Sequence, residues 1–201
     1  MSSLTARVLP SSRVLLGGLL WAACAAAVAE ADAPPPEPQG FRMEMYRAPV
    51  PAALAGARVI DTEEAFRLWT TKSAAFVDVL PRPPKPANLP PETVWRDKPR
   101  HDIPGSVWLP DTGYGVVLAE RLDYLKHGLE KASGGDPARP LVIYCLADCW
   151  MSWNAGKRAL LLGYQRVLWF PEGTDGWSAA GHPLEERTPE PDARRTSAGP
   201  D

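Results

Sequence analysis

Only three cysteines and three histidines occur among 201 residues, and 22 Lys+Arg against 24 Asp+Glu leave no cationic excess. Each scarcity excludes something. Without a basic surplus the chain lacks the electrostatic footprint of a nucleic-acid binder. The one long apolar run, Val14 to Val28, holds 15 residues, short of the roughly 20 needed to cross a bilayer as a helix. Arg7 and Arg13 precede it, and Ala27-Val28-Ala29 closes it with the small-x-small pattern of a cleavage site. Residues 1–29 are therefore expected to be a secretory signal peptide. Cys24 raises a lipoprotein alternative, but Trp21 stands where a lipobox carries an aliphatic residue. Cleavage after Ala29 leaves 20 cations against 24 carboxylates, a formal charge of −4. The expected product is soluble and periplasmic, or otherwise extracytoplasmic. Its remaining cysteines, Cys145 and Cys149, form an even pair in an oxidising compartment.

The mature chain has the size of one domain and an ordinary apolar content, 45% over the whole sequence. Residues 30–57 are proline-rich around Pro34-Pro35-Pro36 and are expected to be a linker. Residues 187–201 are polar and charged and are expected to be a disordered tail. The fold is assigned to 58–186. Arg58 to Ile60 reads as a strand, and Asp61 with Glu64 three residues later caps a helix running through Trp69. Ala75 to Val79 is a second strand, followed by a proline-dense insertion from Pro81 to Pro99. Ser106 to Leu109 is a third. Leu118, Leu122, Leu125 and Leu129 mark an amphipathic helix with Gly134 beyond its end. Leu141 to Tyr144 and Arg166 to Phe170 are buried strands, and the helix between them spans about Ser152 to Leu162, with Gly163 as its stop. This alternation predicts an α/β domain with a mostly parallel central sheet flanked by helices.

In such sheets, sites gather at the carboxyl ends of the strands. Cys145 stands at one, where Leu141 to Tyr144 delivers it to a short loop before a helix. Loop amides and a helix N-terminus favour thiolate over thiol, so Cys145 is expected to be the nucleophile. Cys149, four residues on, can reach it if the loop curls, and such a pair can cycle between dithiol and disulfide.

Phe76-Val77-Asp78-Val79, His101-Asp102-Ile103-Pro104-Gly105-Ser106-Val107, Val142-Ile143-Tyr144-Cys145, Gly163-Tyr164 and Gly176-Trp177-Ser178 through Leu184 resemble the rhodanese-like superfamily. The resemblance implies that Cys145 carries a persulfide. More narrowly, the Cys-x-x-x-Cys-Trp run, the many tryptophans and the insertion are similar to exported CXXCW-motif proteins associated with PQQ-dependent alcohol catabolism. That likeness implies a periplasmic PQQ-dependent dehydrogenase or a c-type cytochrome as partner. No cofactor is assigned to the chain itself.

The loop departs from the sulfurtransferase pattern. Leu146 and Trp150 stand where an Arg would hold an anionic sulfur donor, and Asp148 would repel one. Asp78 is present at its strand end, but Leu80 occupies the position of a following Arg, which Arg82, Arg96 or Lys98 would have to replace. Three readings stay open for the pair. One is catalysis, as sulfurtransferase or thiol-disulfide oxidoreductase, with Cys145, Cys149 and Asp78 as the working residues. The second is a structural disulfide in an accessory module. The third is copper or other metal delivery, with Met151 adjacent and His101 or His182 brought near by the fold. Asp78 either orients the loop or caps backbone N–H groups at its strand end. Trp150 and Trp153 either form an aromatic wall for a substrate or partner, with Arg82 and Arg96 as further binding residues, or pack in the core. Trp108, Trp169 and Trp177 are assigned to the core and His127 to solvent. The insertion is long enough to be a lid or docking surface.

Overall fold

The computed structural model describes residues 33–84, 86–90, 92–94 and 99–192. Its first elements follow from short local signals. Strand β1 (Arg58–Val59) leads into helix α1 (Thr62–Thr70), where the Asp61 side chain accepts the Glu64 N–H at 2.9 Å and so satisfies one of the free donors of the first turn. Glu64 does not close the box on Asp61; its carboxylate pairs with Arg58 and Arg67 instead. Then come β2 (Ala75–Asp78), β3 (Arg100–Asp102) and β4 (Val107–Trp108). Helix α2 (Ala119–Ser133) ends where Gly134 adopts φ 67°, a left-handed stop that a side chain resists. Strand β5 (Leu141–Tyr144) precedes helix α3 (Trp150–Leu161), which begins two residues before the expected Ser152. The chain continues through β6 (Val167–Phe170), α4 (Gly173–Ala179) and β7 (Glu185–Arg187).

Five strands form one parallel sheet in the order β1-β6-β5-β2-β4, while β3 and β7 make a separate antiparallel pair. The two-residue period of the strands divides the core. Val77, Leu141, Ile143 and Cys145 face Leu125 and Leu129 of α2 and Ala155 and Ala159 of α3. Phe76, Val142, Tyr144 and Phe170 face Ala65 and Leu68 of α1 and Trp177 of α4. Helices on both faces account for uninterrupted apolar strands such as Leu141-Val142-Ile143-Tyr144.

The flanks assigned to linker and tail are packed onto this body where they are described. Leu54 is 2% exposed and completes a cluster with Trp150, Trp153 and Trp169. Residues 38–49 run along α3: Lys157 Nζ donates to the Gln39 carbonyl, and Asn154 accepts the Arg42 N–H and donates back to the Arg42 carbonyl. Helix α3 is thus covered by the sheet on one side and by this segment on the other, which explains why nine of its twelve residues are buried. At the other end, Glu190 N–H donates to the Trp108 carbonyl on edge strand β4, and Glu190 and Asp192 pair with Lys131 and Arg121 of α2.

Candidate functional site

Cys145 follows the last residue of β5 and is joined by a disulfide to Cys149, the N-cap residue of α3, with their Cα atoms 6.4 Å apart. The bond is sealed, since Cys145 is 0% and Cys149 2% exposed. The loop between them turns at Asp148, whose φ of 48° is unusual for a residue with a side chain. Two elements hold it. From α4, Thr174 N–H donates to the Cys145 carbonyl at 3.0 Å, and Asp175 accepts the Ala147 N–H at 3.1 Å. Gly173 permits that approach: its φ is 53°, and a Cβ there would lie 2.4 Å from the Cys145 carbonyl oxygen. From the N-terminal segment, Ala48 N–H donates to the Asp148 carbonyl and the Tyr46 carbonyl accepts Trp150 N–H. Two of the amides expected to face a thiolate, those of Ala147 and Trp150, are therefore engaged elsewhere. The helix N-terminus lies at Cys149 rather than at Cys145, so it favours the Cys149 thiolate when the bond opens.

Beside this loop lies a buried ionic network. Asp78, at the end of β2 and wholly buried, accepts Arg100 Nε at 2.6 Å and the Leu80 N–H at 2.8 Å. Arg100 in turn reaches the Thr174 hydroxyl at 3.2 Å, and that hydroxyl also faces the Cys145 carbonyl at 3.4 Å. Burial pushes the Asp78 carboxyl up to about 6, with Arg100 opposing the shift. Asp102 is also wholly buried, and both its carboxyl oxygens lack a hydrogen-bond partner among the described residues. Its contact with Arg187 Nε, 3.9 Å, is too long for a hydrogen bond. Burial, reinforced by Asp78, pushes it up to about 8. Asp78 thus carries the charge that Arg100 answers, while Asp102 is held neutral at pH 7. Asp78 caps the Leu80 N–H at its strand end, and Arg100 bridges it to the Thr174 hydroxyl.

The cation in this network is Arg100, which sequence reasoning missed in favour of Arg82, Arg96 and Lys98. Arg82 pairs with Asp111, Nη2 to Oδ2 at 2.9 Å, and Arg96 and Lys98 lie outside the described residues. The available signal was position, since Arg100 immediately precedes His101-Asp102 and returns the insertion to the sheet. Trp150 and Trp153 do not form an exposed wall. They are 2% and 0% exposed, stack edge to face at 5.5 Å, and donate their indole N–H groups to the Pro49 and Ala53 carbonyls. His182 stacks on Phe66 in the α1 cluster, away from the sulfurs, and no cluster of three or more His, Cys, Asp or Glu fit to hold a metal occurs among the described residues.

A cavity of about 420 Å³ opens beside the loop, walled by Leu80, Pro81, Pro99, Trp108, Leu146 and Leu184, with Arg100, Thr174 and Asp175 as polar points. A larger cleft, about 820 Å³, lies at the opposite ends of β2 and β4, among Trp69, Lys72, Gly105 and Arg139. It is remote from the chemistry, and the smaller cavity is the relevant one.

A cysteine at the end of a central parallel strand, in a loop leading into a helix, agrees with a comparison against protein families: the model of the rhodanese-like domain matches residues 56–180, well over half the chain. The chain belongs to the rhodanese-like family. No curated protein matched the rhodanese-like chain at a significant level. Among solved structures, it is similar to the polysulfide-sulfur transferase homodimer of Wolinella succinogenes, with 19% identity, TM-score 0.42, and coverage of 68% of this chain and 84% of that one. An EanB variant in complex with ergothioneine gives 22% identity and TM-score 0.47, over 71% of this chain and 34% of that one. A Rhodopseudomonas palustris protein of unknown function gives 20% and 0.42, over 65% and 86%. The rhodanese-like domain therefore spans about a third of the EanB chain. Among its described residues no helix is long and apolar enough to cross a membrane.

Proposed function

We propose that this protein is an exported thiol-disulfide or sulfur-handling member of the rhodanese-like family, with Cys145 as the sulfur that is attacked or modified and Cys149 as the resolving thiol. The observation that carries the reading is the Cys145–Cys149 disulfide at the sheet's carboxyl edge, next to the 420 Å³ cavity and the Arg100–Thr174 link. An incoming thiolate attacks the Cys145 sulfur, the S–S bond breaks, and the electron pair leaves on Cys149 at the α3 N-terminus. A second thiolate then releases Cys145, so that two thiols become one disulfide and the protein disulfide becomes a dithiol. In reverse, Cys149 attacks a Cys145 adduct and expels it as a reduced thiol or sulfide.

Thiosulfate is a poor donor in this reading. Leu146 offers no charge, Asp148 is exposed on the loop, Asp175 occupies the Ala147 amide, and Arg100 is taken up by Asp78. The Cys-x-x-x-Cys-Trp run extends the reading to periplasmic PQQ-dependent alcohol oxidation, with a quinoprotein dehydrogenase or c-type cytochrome as partner. The signal-like N-terminus supports the compartment.

A second reading, a permanent structural disulfide in a non-catalytic accessory module, is favoured by the sealing of both sulfurs. Reduction potential separates the two. A structural bond lies below about −300 mV, whereas a working one is more easily reduced. Equilibration of the purified protein with glutathione redox buffers and a free-thiol count decides it, and a bond that resists every glutathione ratio overturns the catalytic reading.

A further inference from the structure

The cavity beside the loop and the sealed disulfide share two residues. Leu80 and Leu146 both line the 420 Å³ cavity, and both pack against the apolar cluster that contains Cys145 and Cys149. Leu146 follows Cys145 directly and is half-buried. The backbone after it is pinned, by Asp175 at the Ala147 N–H and by the Ala48 N–H at the Asp148 carbonyl. A rotamer change of the Leu146 side chain is therefore the smallest movement that opens the cavity toward Cys145, which is 0% exposed.

The walls select what can enter. Leu80, Pro81, Pro83, Pro99, Trp108 and Leu184 offer hydrocarbon and an aromatic ring. The donors among the lining residues are engaged within the protein: the Trp108 indole N–H on the Leu80 carbonyl at 2.8 Å, the Ser178 hydroxyl on the Asp175 carbonyl at 3.2 Å, and the Thr174 hydroxyl between Arg100 and the Cys145 carbonyl. His101, the remaining polar residue of the lining, is exposed and keeps its hydration. Charge acts in the same direction. Asp78 answers the Arg100 guanidinium and Asp175 adds a carboxylate, so an anionic substituent would lose its hydration here without gaining a cation.

We propose that this cavity takes the apolar substituent of a small uncharged thiol, and that Leu146 is the specificity-determining residue that admits the thiolate to Cys145. This rests on the disulfide being a working one. The thiolate attacks Cys145 Sγ, the S–S bond breaks, and its electron pair leaves on Cys149, which takes a proton from solvent. A second thiolate then attacks the substrate sulfur of the mixed disulfide and frees Cys145, which is protonated in turn. Two thiols are oxidised to one disulfide, and the protein disulfide is reduced to a dithiol.

The test follows reduction of the full chain by butane-1-thiol, 2-mercaptoethanol and 3-mercaptopropionate. Each rate is divided by the same thiol's rate with bis(2-hydroxyethyl) disulfide, which removes intrinsic nucleophilicity. Butane-1-thiol is expected to exceed 3-mercaptopropionate by about tenfold, the worth of roughly two buried methylene groups at the transition state, with 2-mercaptoethanol between them. Leu146→Ala removes the partition and is expected to raise all three rates. Leu146→Arg places a cation at the partition, and Leu184→Arg places one on a wall outside the disulfide loop. Both are expected to shift the preference toward the anionic thiol, by about tenfold for Leu146→Arg. Thermal melts identify the variants that fold. Equal normalised rates in wild type, an unchanged preference in either folded Arg variant, or no acceleration in Leu146→Ala overturns the proposal and leaves the working disulfide standing. A bond that none of the three thiols reduces overturns both.

Discussion

The two flanks of the disulfide are built from different materials. Toward Cys145 lies a cavity with proline and leucine walls, ending in a buried ionic network in which one carboxyl, Asp102, has no hydrogen-bond partner among the described residues. Toward Cys149 lies a close-packed aromatic layer, in which Trp150, Trp153, Trp169 and Leu54 interlock and both α3 indoles are hydrogen-bonded. The contrast separates the work of the two sides. The aromatic side contributes stability and holds the N-terminal segment, while the polar side keeps open space and a cation linked through the Thr174 hydroxyl to the Cys145 carbonyl.

That division predicts a hierarchy of effects in chemical denaturation. Trp153→Ala deletes a fully buried ring and is expected to cost about 3 to 5 kcal/mol, whereas Leu146→Ala on the cavity wall is expected to cost under about 1 kcal/mol. Equal losses would erase the distinction. Arg100→Met leaves Asp78 buried without its cation and is expected to cost about 3 kcal/mol at pH 8. Protonation of Asp78 near pH 5 should recover most of that loss, and a pH-independent cost would show that Arg100 acts through packing alone.

A smaller effect isolates Asp102. Its folded-state value of about 8 and that of Asp78, about 6, both lie above the ordinary carboxylate range. The folded protein therefore holds protons that the unfolded chain releases. The stability they contribute is complete below about pH 4 and is lost as pH rises through 6 and then 8. Asp102→Asn mimics the neutral acid and is expected to flatten this slope, gaining on the order of 1 kcal/mol at pH 8 and little at pH 5. An unchanged slope in urea titrations across this range would place the proton elsewhere.

The parallel sheet was legible because its strands are short apolar runs and its helices carry their own punctuation at Asp61 and Gly134. Cys145 at a strand end followed from the same pattern. Three features were not legible, each for a physical reason. Helix α4 contains Gly173 and Gly176 and has no amphipathic period to read; the burial of Trp177 and the bond from Thr174 N–H to Cys145 hold it in place. Arg100 follows a proline-dense insertion whose path composition does not reveal. The segment before Arg58 has the proline content of a tether, yet Leu54 and a series of backbone hydrogen bonds fix it to α3. Such bonds are independent of side-chain type and leave no trace in a hydrophobic pattern.

The central claim is that Cys145 takes the adduct and Cys149 resolves it. Reduced wild type and Cys149→Ser are each exposed to a small persulfide, to a mixed disulfide and to thiosulfate, and intact masses are read with peptide mapping. The account predicts a stable adduct on Cys145 in Cys149→Ser with the first two donors, little with thiosulfate, and an internal disulfide without adduct in wild type. Absence of any adduct in Cys149→Ser, or rapid wild-type turnover of thiosulfate to thiocyanate in the presence of cyanide, would contradict it.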